Sequence, residues 1–269
     1  MRITAPSGFS LGIKELWQYR ELFYFFTWRD IKVKYKQTAL GIGWAILQPL
    51  GLILLFSFVF SRNWKIDTGI VHYPVFVLSG LILWNLFSAS VSSAGESMIL
   101  NAPVIKKIYF PRLIIPCSAI LVALFDFLIG AMIFAVFCLV YRQPVHYSAF
   151  LYFPAAAFVI IVAAIGAGSF LAALNVKFRD FRYTIPFMLQ FLFFASQVIF
   201  PLQQIHSTVV RHILSINPVN AAIELMRAPL YGGEIDGNIV LIGTTTSILL
   251  AVVGLFYFRK TEAYFADIA

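Results

Sequence analysis

The amino-acid sequence predicts an all-α integral membrane protein with six transmembrane helices in a single domain, residues 1–269. Hydrophobic residues make up 61% of the chain and charged residues only 12%, about half the charged fraction of a soluble domain. The mean hydropathy is +0.86. Long runs without charge recur, and about 20 apolar residues suffice to cross a bilayer as a helix. Their length and uniform apolarity favour helices over barrel strands.

An N-terminal helix is predicted before the first span, within residues 1–37. Several polar side chains share about one quarter of a helical circle, namely Gln18, Glu21, Arg29, Lys32 and Lys36. Most of the other positions are apolar or aromatic. This distribution is typical of an amphipathic helix that lies in the headgroup plane. A plain polybasic lipid anchor is the alternative.

The spans follow from the charge-free runs. We place them near residues 38–60, 72–94, 113–140, 149–174, 184–202 and 238–258. Asp126 is the only charged residue within these runs. It is a candidate for proton coupling, or for a structural hydrogen bond between helices. We favour the structural role, because the spans contain no cationic partner for Asp126.

The basic residues predict the orientation of the chain. Six spans place both termini on one side, and that side holds all but five of the 20 Lys and Arg residues. The five exceptions are Arg62, Lys65, Arg142, Arg211 and Arg227. The positive-inside rule therefore makes both termini cytoplasmic. Membrane orientation also accounts for the net charge of +8, so we expect no nucleic-acid partner.

The connecting loops differ in length and character. On the cytoplasmic side, "NAPVIKKIYFPRLIIP" (101–116) and "NVKFRDFRY" (175–183) are short, basic and aromatic. Pro103 and Pro111 are expected to bracket a helix of about two turns. The longest loop, 203–236, is external. Asn217 followed by Pro218 predicts a helix start there, and we expect two short amphipathic helices that re-enter or lie on the outer leaflet.

The sequence contains none of the usual catalytic motifs. There is no phosphate-binding G-x-x-x-x-G-K-[ST] loop, no G-x-S-x-G and no zinc-ligand spacing. We therefore predict no catalytic residues, no metal site and no cofactor bound by this chain.

Aromatic side chains suggest a translocation path. Phe187, Phe191 and Phe194 form one stripe on the fifth span, and Phe56 and Phe60 are one turn apart on the first. Aromatic faces bind the apolar faces of sugar rings. Ordinary helix packing or lipid contact is the alternative. Two further path candidates, Trp44 and Gln48, lie on the first span.

Five stretches of the sequence resemble ABC-2 type permeases, especially those that export O-antigen, capsular polysaccharide or teichoic acid. The basic helix leading into "KVKYKQTALGIGWAILQPL" resembles the start of the family's first span. Similar stretches are "NAPVIKKIYFPRLIIP", "NVKFRDFRYTIPFMLQ", the "NP" and "PLYGG" of the last external loop, and the final "FRKTEAYFADIA". The resemblance covers essentially the whole chain.

The resemblance implies a half-transporter that pairs with a second copy of itself. Two separate ATPase subunits, which bind the ATP and magnesium, would dock on the cytoplasmic side. The implied coupling residues are Val104, Lys106, Lys107, Tyr109, Phe110, Arg112, Lys177, Arg179, Asp180 and Arg182. The interfacial helix is also implied to contact the ATPase, through its cations Arg29, Lys32 and Lys36. The family's first and fifth spans tend to line the path.

We therefore expect a permease subunit that exports a lipid-linked polysaccharide across the bacterial inner membrane. A lipid or drug cargo is the alternative within the family. An ion-coupled secondary transporter that depends on Asp126 is a further alternative. A membrane-embedded acyl- or glycosyltransferase would need a cluster of catalytic residues, which the sequence lacks.

Overall fold

The computed structural model describes residues 13–36, 40–41, 43–59, 69–178, 180–205 and 207–262. Within these ranges the chain is helical, with no β-strand, so the all-α prediction is confirmed there. The helices are α1 Ile13–Gln18, α2 Arg20–Lys36, α3 Gly43–Phe56, α4 Tyr73–Leu100, α5 Ala102–Ile105, α6 Ile114–Val140, α7 Ala149–Lys177, α8 Phe181–Phe194, α9 Thr208–Ser215, α10 Pro218–Arg227 and α11 Gly237–Thr261. Two short 3₁₀ segments, Leu202–Gln204 and Ala228–Tyr231, flank α9 and α10.

In the part of the chain that the structure describes, four helices are long and apolar enough to cross a membrane, namely α4, α6, α7 and α11. Their lengths of 28, 27, 29 and 25 residues exceed the minimum span. The predicted first and fifth spans are shorter in the structure. Helix α3 begins at Gly43 and continues as a π-turn to Val59, and α8 ends at Phe194. The six-span arrangement therefore remains a prediction.

Helix α4 forms the centre of the bundle. It packs against α3, α6, α7, α8 and α10, and its side chains from Val75 to Leu83 are almost fully buried. Small residues along α4, including Ser90, Ala94 and Gly95, allow its neighbours to approach closely. The helix was predicted to end near residue 94, but it continues to Leu100. The loop that follows α4 therefore begins about six residues after the predicted end of the span.

Helices α7 and α11 cross at a pair of glycines. A Cβ added at Gly166 would collide with the backbone of Leu250, and one added at Gly254 would collide with the backbone of Gly166. The two backbones are therefore in direct contact. Such contacts are how helices associate in lipid, where burial of apolar surface provides little driving force.

Helix α2 packs along α6. The Phe26 side chain is buried against Phe110 and Ile114 near the start of α6, while Tyr35 contacts Phe125 halfway along it. Successive residues of α2 thus meet successive parts of α6. The predicted position of α2 in the headgroup plane stays a prediction. The aromatic residues Trp17, Tyr24, Phe25 and Trp28 of α1 and α2 remain exposed.

Candidate functional site

A loop projects between α5 and α6 at one end of the bundle. Its residues 106–109, which we call the docking loop, are all exposed, and Tyr109 shows 74% of its surface. The residues on either side of it, Ile105 and Phe110, are buried. The prediction of a two-turn helix here was wrong, because only the single turn of α5 forms before the loop. The result is an exposed basic and apolar tip on a buried base.

The base of the docking loop is tied to three helices. Phe110 packs with its ring centroid 5.8 Å from that of Phe26 in α2. The Arg112 backbone N–H donates to Glu262 Oε1 at 3.2 Å, and the Arg112 guanidinium donates to the Glu262 carbonyl. Glu262 also pairs with Arg259 of α11 at 2.8 Å. The base of the loop is therefore in contact with α2 and the end of α11 and continues directly into α6.

The predicted coupling residues of this stretch fall into two groups. Lys106, Lys107 and Tyr109 are exposed, as contact with a partner requires. Phe110 is buried, and Val104 and Arg112 are partly buried, so these three position the loop. Residue type alone did not separate the two groups, because aromatic and basic side chains occur in both.

The second predicted coupling loop lies at the same end of the bundle. Lys177, Asp180 and Arg182 are exposed, and Arg179 lies outside the described residues. Val176, next to Lys177, belongs to the same buried cluster as Ile105 and Phe110. The structure therefore brings the two loops to a common surface, which we call the basic end.

The predicted cations of the interfacial helix differ in their contacts. Arg29 donates to Asn101 Oδ1 at 2.8 Å, just before α5, and to Asp30 Oδ1 at 2.8 Å. The Lys32 ammonium lies 5.2 Å from the centroid of the Trp28 ring, and Lys36 is exposed. Arg29 thus supports the base of the docking loop, while Lys32 and Lys36 face outward.

A cavity of about 590 Å³ lies between α2, α3, α4, α6 and α8. Two predicted path residues, Trp44 and Gln48, line it together with Asn85, Ser88 and Asp126. Its wall therefore combines an aromatic ring, amides, a hydroxyl and a carboxylate within the helical bundle.

Asp126 has a cationic partner after all. The Lys34 ammonium forms an ion pair with Asp126, and the Tyr35 hydroxyl donates to the same carboxylate. Burial, with the hydrogen bond to Asp126, raises the pKa of Tyr35 above its ordinary value, so the hydroxyl keeps its proton and remains a donor. The contact joins α2 to α6 and supports the structural role. Sequence reasoning missed it because the partners are 92 positions apart.

The remaining path candidates do not share one surface. Phe187, Phe191 and Phe194 are exposed by 72%, 69% and 63% and form an outward stripe on α8, as their spacing predicted. Phe56 instead packs against the protein, with its ring stacked 6.2 Å from that of Phe193. Phe60 lies outside the described residues.

A polar stripe on α10 was not foreseen from the sequence. Asn217, the cap of α10, and Asn220, Glu224 and Arg227 within it follow a helical spacing, and all four are buried. The capping hydrogen bond that the Val219 N–H donates to Asn217 Oδ1 confirms the predicted helix start. The two predicted short helices, α9 and α10, are both present. Helix α10 is buried within the protein, whereas α9 exposes Val209 and Ile213.

The stripe supplies hydrogen bonds to the chain where α8 ends. A helix end leaves backbone groups unpaired, and in an apolar interior each needs a partner. Asn220 donates to the Ala195 carbonyl at 3.1 Å and accepts from the Gln197 N–H at 2.7 Å. Arg227 donates to the carbonyls of Gln197 at 2.7 Å and Val198 at 3.2 Å.

Arg227 also joins this segment to α4. Its guanidinium donates to the Phe76 carbonyl at 3.0 Å and to Ser79 Oγ at 3.1 Å, and it stacks 3.4 Å from the centroid of the Phe76 ring. Gly80 leaves room for it, since a Cβ there would lie 3.1 Å from Arg227 Nη2. The sequence did contain a signal for this stripe, because its polar residues are separated by three, four and three positions, which places them on one face of a helix.

Comparison with known proteins places this architecture in a family. Residues 21–231 match the ABC-2 type transporter family. The chain is 29% identical over 240 residues to the O-antigen export system permease protein RfbA of Klebsiella pneumoniae, covering 89% of this chain and 92% of the relative.

Two further relatives match over similar lengths. The O-antigen export system permease protein RfbA of Myxococcus xanthus is 28% identical over 258 residues, covering 93% of this chain and 96% of that protein. The polysialic acid transport protein KpsM of Escherichia coli is 25% identical over 239 residues, with coverages of 87% and 91%. With its apolar helices, its anchored loop at the basic end and a family match over most of its length, the chain belongs to the ABC-2 type transporter family of membrane permeases.

Proposed function

We propose that this chain is the membrane permease of an ATP-driven exporter that moves a lipid-linked polysaccharide across the bacterial inner membrane. The observation that carries the proposal is the similarity, over 87–93% of the chain, to permeases named for O-antigen export and polysialic acid transport. A lipid or drug cargo remains the alternative within the family, but the named relatives favour a glycan.

We propose that a separate ATPase drives transport by contact with the basic end. Lys106 and Lys107 would meet acidic groups of the ATPase, while Tyr109 would provide an apolar contact. Motion of the docking loop would then pass through Phe110 to α2 and through Arg112 to α11. The second loop, with Lys177, Asp180 and Arg182, would provide the secondary contact.

We propose that two copies of the chain enclose the path. The outward stripe of Phe187, Phe191 and Phe194 would face the partner copy and give sugar rings weak, repeated apolar contacts, as conduction requires. Trp44 and Gln48 would line the path at the cavity between α2, α3, α4, α6 and α8. Exposed aromatic surface of this kind is typical of an interaction site, although lipid contact alone would also cover it.

The coupling proposal is tested by reversing the charge of the docking loop. The double variant Lys106→Glu, Lys107→Glu, reconstituted with its partner ATPase, should bind that ATPase about 5–30-fold more weakly, as expected for a loss of about 1–2 kcal/mol. Stimulated hydrolysis and export should fall with it. Arg142→Glu, an exposed reversal at the opposite end of the bundle, is the control.

Normal assembly, hydrolysis and export by the double variant would show that the ATPase docks elsewhere. The cargo is tested separately in proteoliposomes, where ATP should drive uptake or release of the organism's own lipid-linked glycan. Transport that needs no ATPase and is abolished in Asp126→Asn would instead support the ion-coupled alternative.

A further inference from the structure

A second cavity lies at the end of the bundle opposite the docking loop. Its volume is about 720 Å³, within the range of about 300–1,000 Å³ typical of ligand sites. The start of α4, the segment after α8, the end of α10 and the start of α11 enclose it. The predicted orientation places this cavity on the external side. None of the coupling or path residues that the structure describes lines it.

The floor of this cavity is polar, buried and fixed in position. Gln197, Glu224 and Arg227 contribute to it, and each exposes 7% or less of its surface. Gln197 Nε2 donates to Glu224 Oε2 at 3.3 Å, and the Asp236 N–H donates to Glu224 Oε1 at 3.2 Å. A ligand would therefore meet polar groups that are already ordered, which lowers the entropy cost of binding.

The rim of the cavity adds the chemistry that recognises sugars. Gln204 and Glu234 are exposed there, and the partly buried Tyr231 ring forms one side. Carboxylates accept hydrogen bonds from hydroxyl groups, and amides both donate and accept. An aromatic ring offers an apolar surface for the C–H face of a pyranose. Carboxyl, amide and ring together suit a ligand that is rich in hydroxyl groups.

The charge of the lining restricts which glycan fits. Among the described lining residues, Glu224, Glu234 and Asp236 carry carboxylates and Arg227 carries a positive charge. Asp236 is paired with Arg211, and the hydrogen bonds of Arg227 are directed to backbone carbonyls and Ser79. An excess of negative charge in a cleft repels anions and lowers their local concentration. With Arg211 counted, the described residues leave an excess of one negative charge, which disfavours a polyanionic glycan.

We propose that this cavity is an exit subsite for uncharged, hydroxyl-rich glycan segments and that it discriminates against acidic ones. The inference rests on the proposed polysaccharide export and adds to it the class of sugar. A chain leaving the path would be held by Gln204 and Glu234, with one ring on Tyr231, before its release.

The test uses the assembled permease and ATPase in nanodiscs and two matched probes. Maltohexaose is a neutral α-1,4-linked hexasaccharide, and α-1,4-hexagalacturonate is an acidic one of the same length. Saturation-transfer NMR and calorimetry should detect maltohexaose and show at least about fivefold weaker hexagalacturonate binding. The double variant Gln204→Ala, Glu234→Ala should weaken maltohexaose binding at least about fivefold through the lost hydrogen bonds.

A matched control and a charge reversal sharpen the result. The variant Gln18→Ala, Glu21→Ala removes the same two side-chain types from exposed positions near the N-terminus, and it should bind maltohexaose like the unmodified protein. Glu234→Lys should increase hexagalacturonate binding. Equal binding of both probes, binding of neither probe, or no effect of the rim variants would overturn the subsite.

Export of the native glycan in the same preparation separates the two proposals. ATP-dependent export without probe binding would reject the exit subsite and leave the transport function intact. Probe binding without ATP-dependent export would reject the proposed transport function.

Discussion

The two ends of the bundle use their polar residues in opposite ways. At the basic end, Lys106 and Lys107 are exposed on a loop held from below by buried apolar residues such as Phe110. At the opposite end, Asn220 and Arg227 are buried and directed to the protein's own backbone. The first arrangement leaves its charges available to a partner. The second uses its polar groups to close a gap in the fold, so substitutions at the two ends should have different consequences.

The largest loss of stability is expected for Arg227→Ala. The substitution leaves the buried carbonyls of Phe76, Gln197 and Val198 without this donor, at a cost of about 3–5 kcal/mol. Thermal unfolding of the purified protein measures the loss. Arg227→Lys keeps the charge but loses the planar set of guanidinium donors, so its stability should lie between that of the unmodified protein and that of Arg227→Ala. Arg211→Ala, which breaks a more exposed ion pair, should cost only about 0–1 kcal/mol. Equal effects of both alanine substitutions would mean that the buried position of Arg227 adds nothing to stability.

The base and the tip of the docking loop should respond differently to the same change. Phe110→Ala removes a buried ring and should cost about 3 kcal/mol. Tyr109→Ala removes an exposed ring and should change stability by less than about 0.5 kcal/mol, while still weakening ATPase binding. Thermal unfolding and ATPase association, measured on both variants, separate the two roles. A large stability loss from Tyr109→Ala would mean that the tip packs against the protein.

Substitution at the crossing of α7 and α11 tests whether the bundle between the two ends tolerates separation of these helices. Gly254→Ala forces α11 away from α7 and should cost about 1–3 kcal/mol through overpacking. Gly237→Ala is the control on the same helix, because a Cβ there has nothing within 4 Å. Thermal unfolding gives the stability of each variant. If Gly254→Ala unfolds at the same temperature as Gly237→Ala, the crossing tolerates separation.

The smallest expected effect concerns the contact between α2 and α6. A double-mutant cycle with Lys34→Ala and Asp126→Asn should give a coupling energy of about 0.5–1 kcal/mol, since the ion pair is partly exposed. Chemical unfolding of the four proteins measures it. A coupling energy near zero would mean that Asp126 depends on Tyr35 rather than on Lys34, and Tyr35→Phe would then show the larger loss.

The long helices could be predicted from the sequence, because the length of each charge-free apolar run sets the length of its helix. Helix α6, predicted at 113–140, is found at 114–140, and α11 agrees to within a turn at each end. The early end of α8 was not predictable from its own residues, because the groups that satisfy it lie on α10. The contact of Lys34 with Asp126 likewise depends on how α2 and α6 pack. Sequence therefore identified the exposed cations of the candidate site, but not which neighbouring residues hold them in place.

The dependence of the α8 end on Arg227 bears on how the chain is made. The ribosome completes residues 195–198 before it adds Arg227, and at roughly 5–20 residues per second this leaves an interval of about 2–6 s. During that interval the Gln197 and Val198 carbonyls lack their final donor. We therefore expect the end of α8 to reach its final structure only after α10 has been made, and a chain truncated before residue 227 should be less stable and more readily degraded than the full chain.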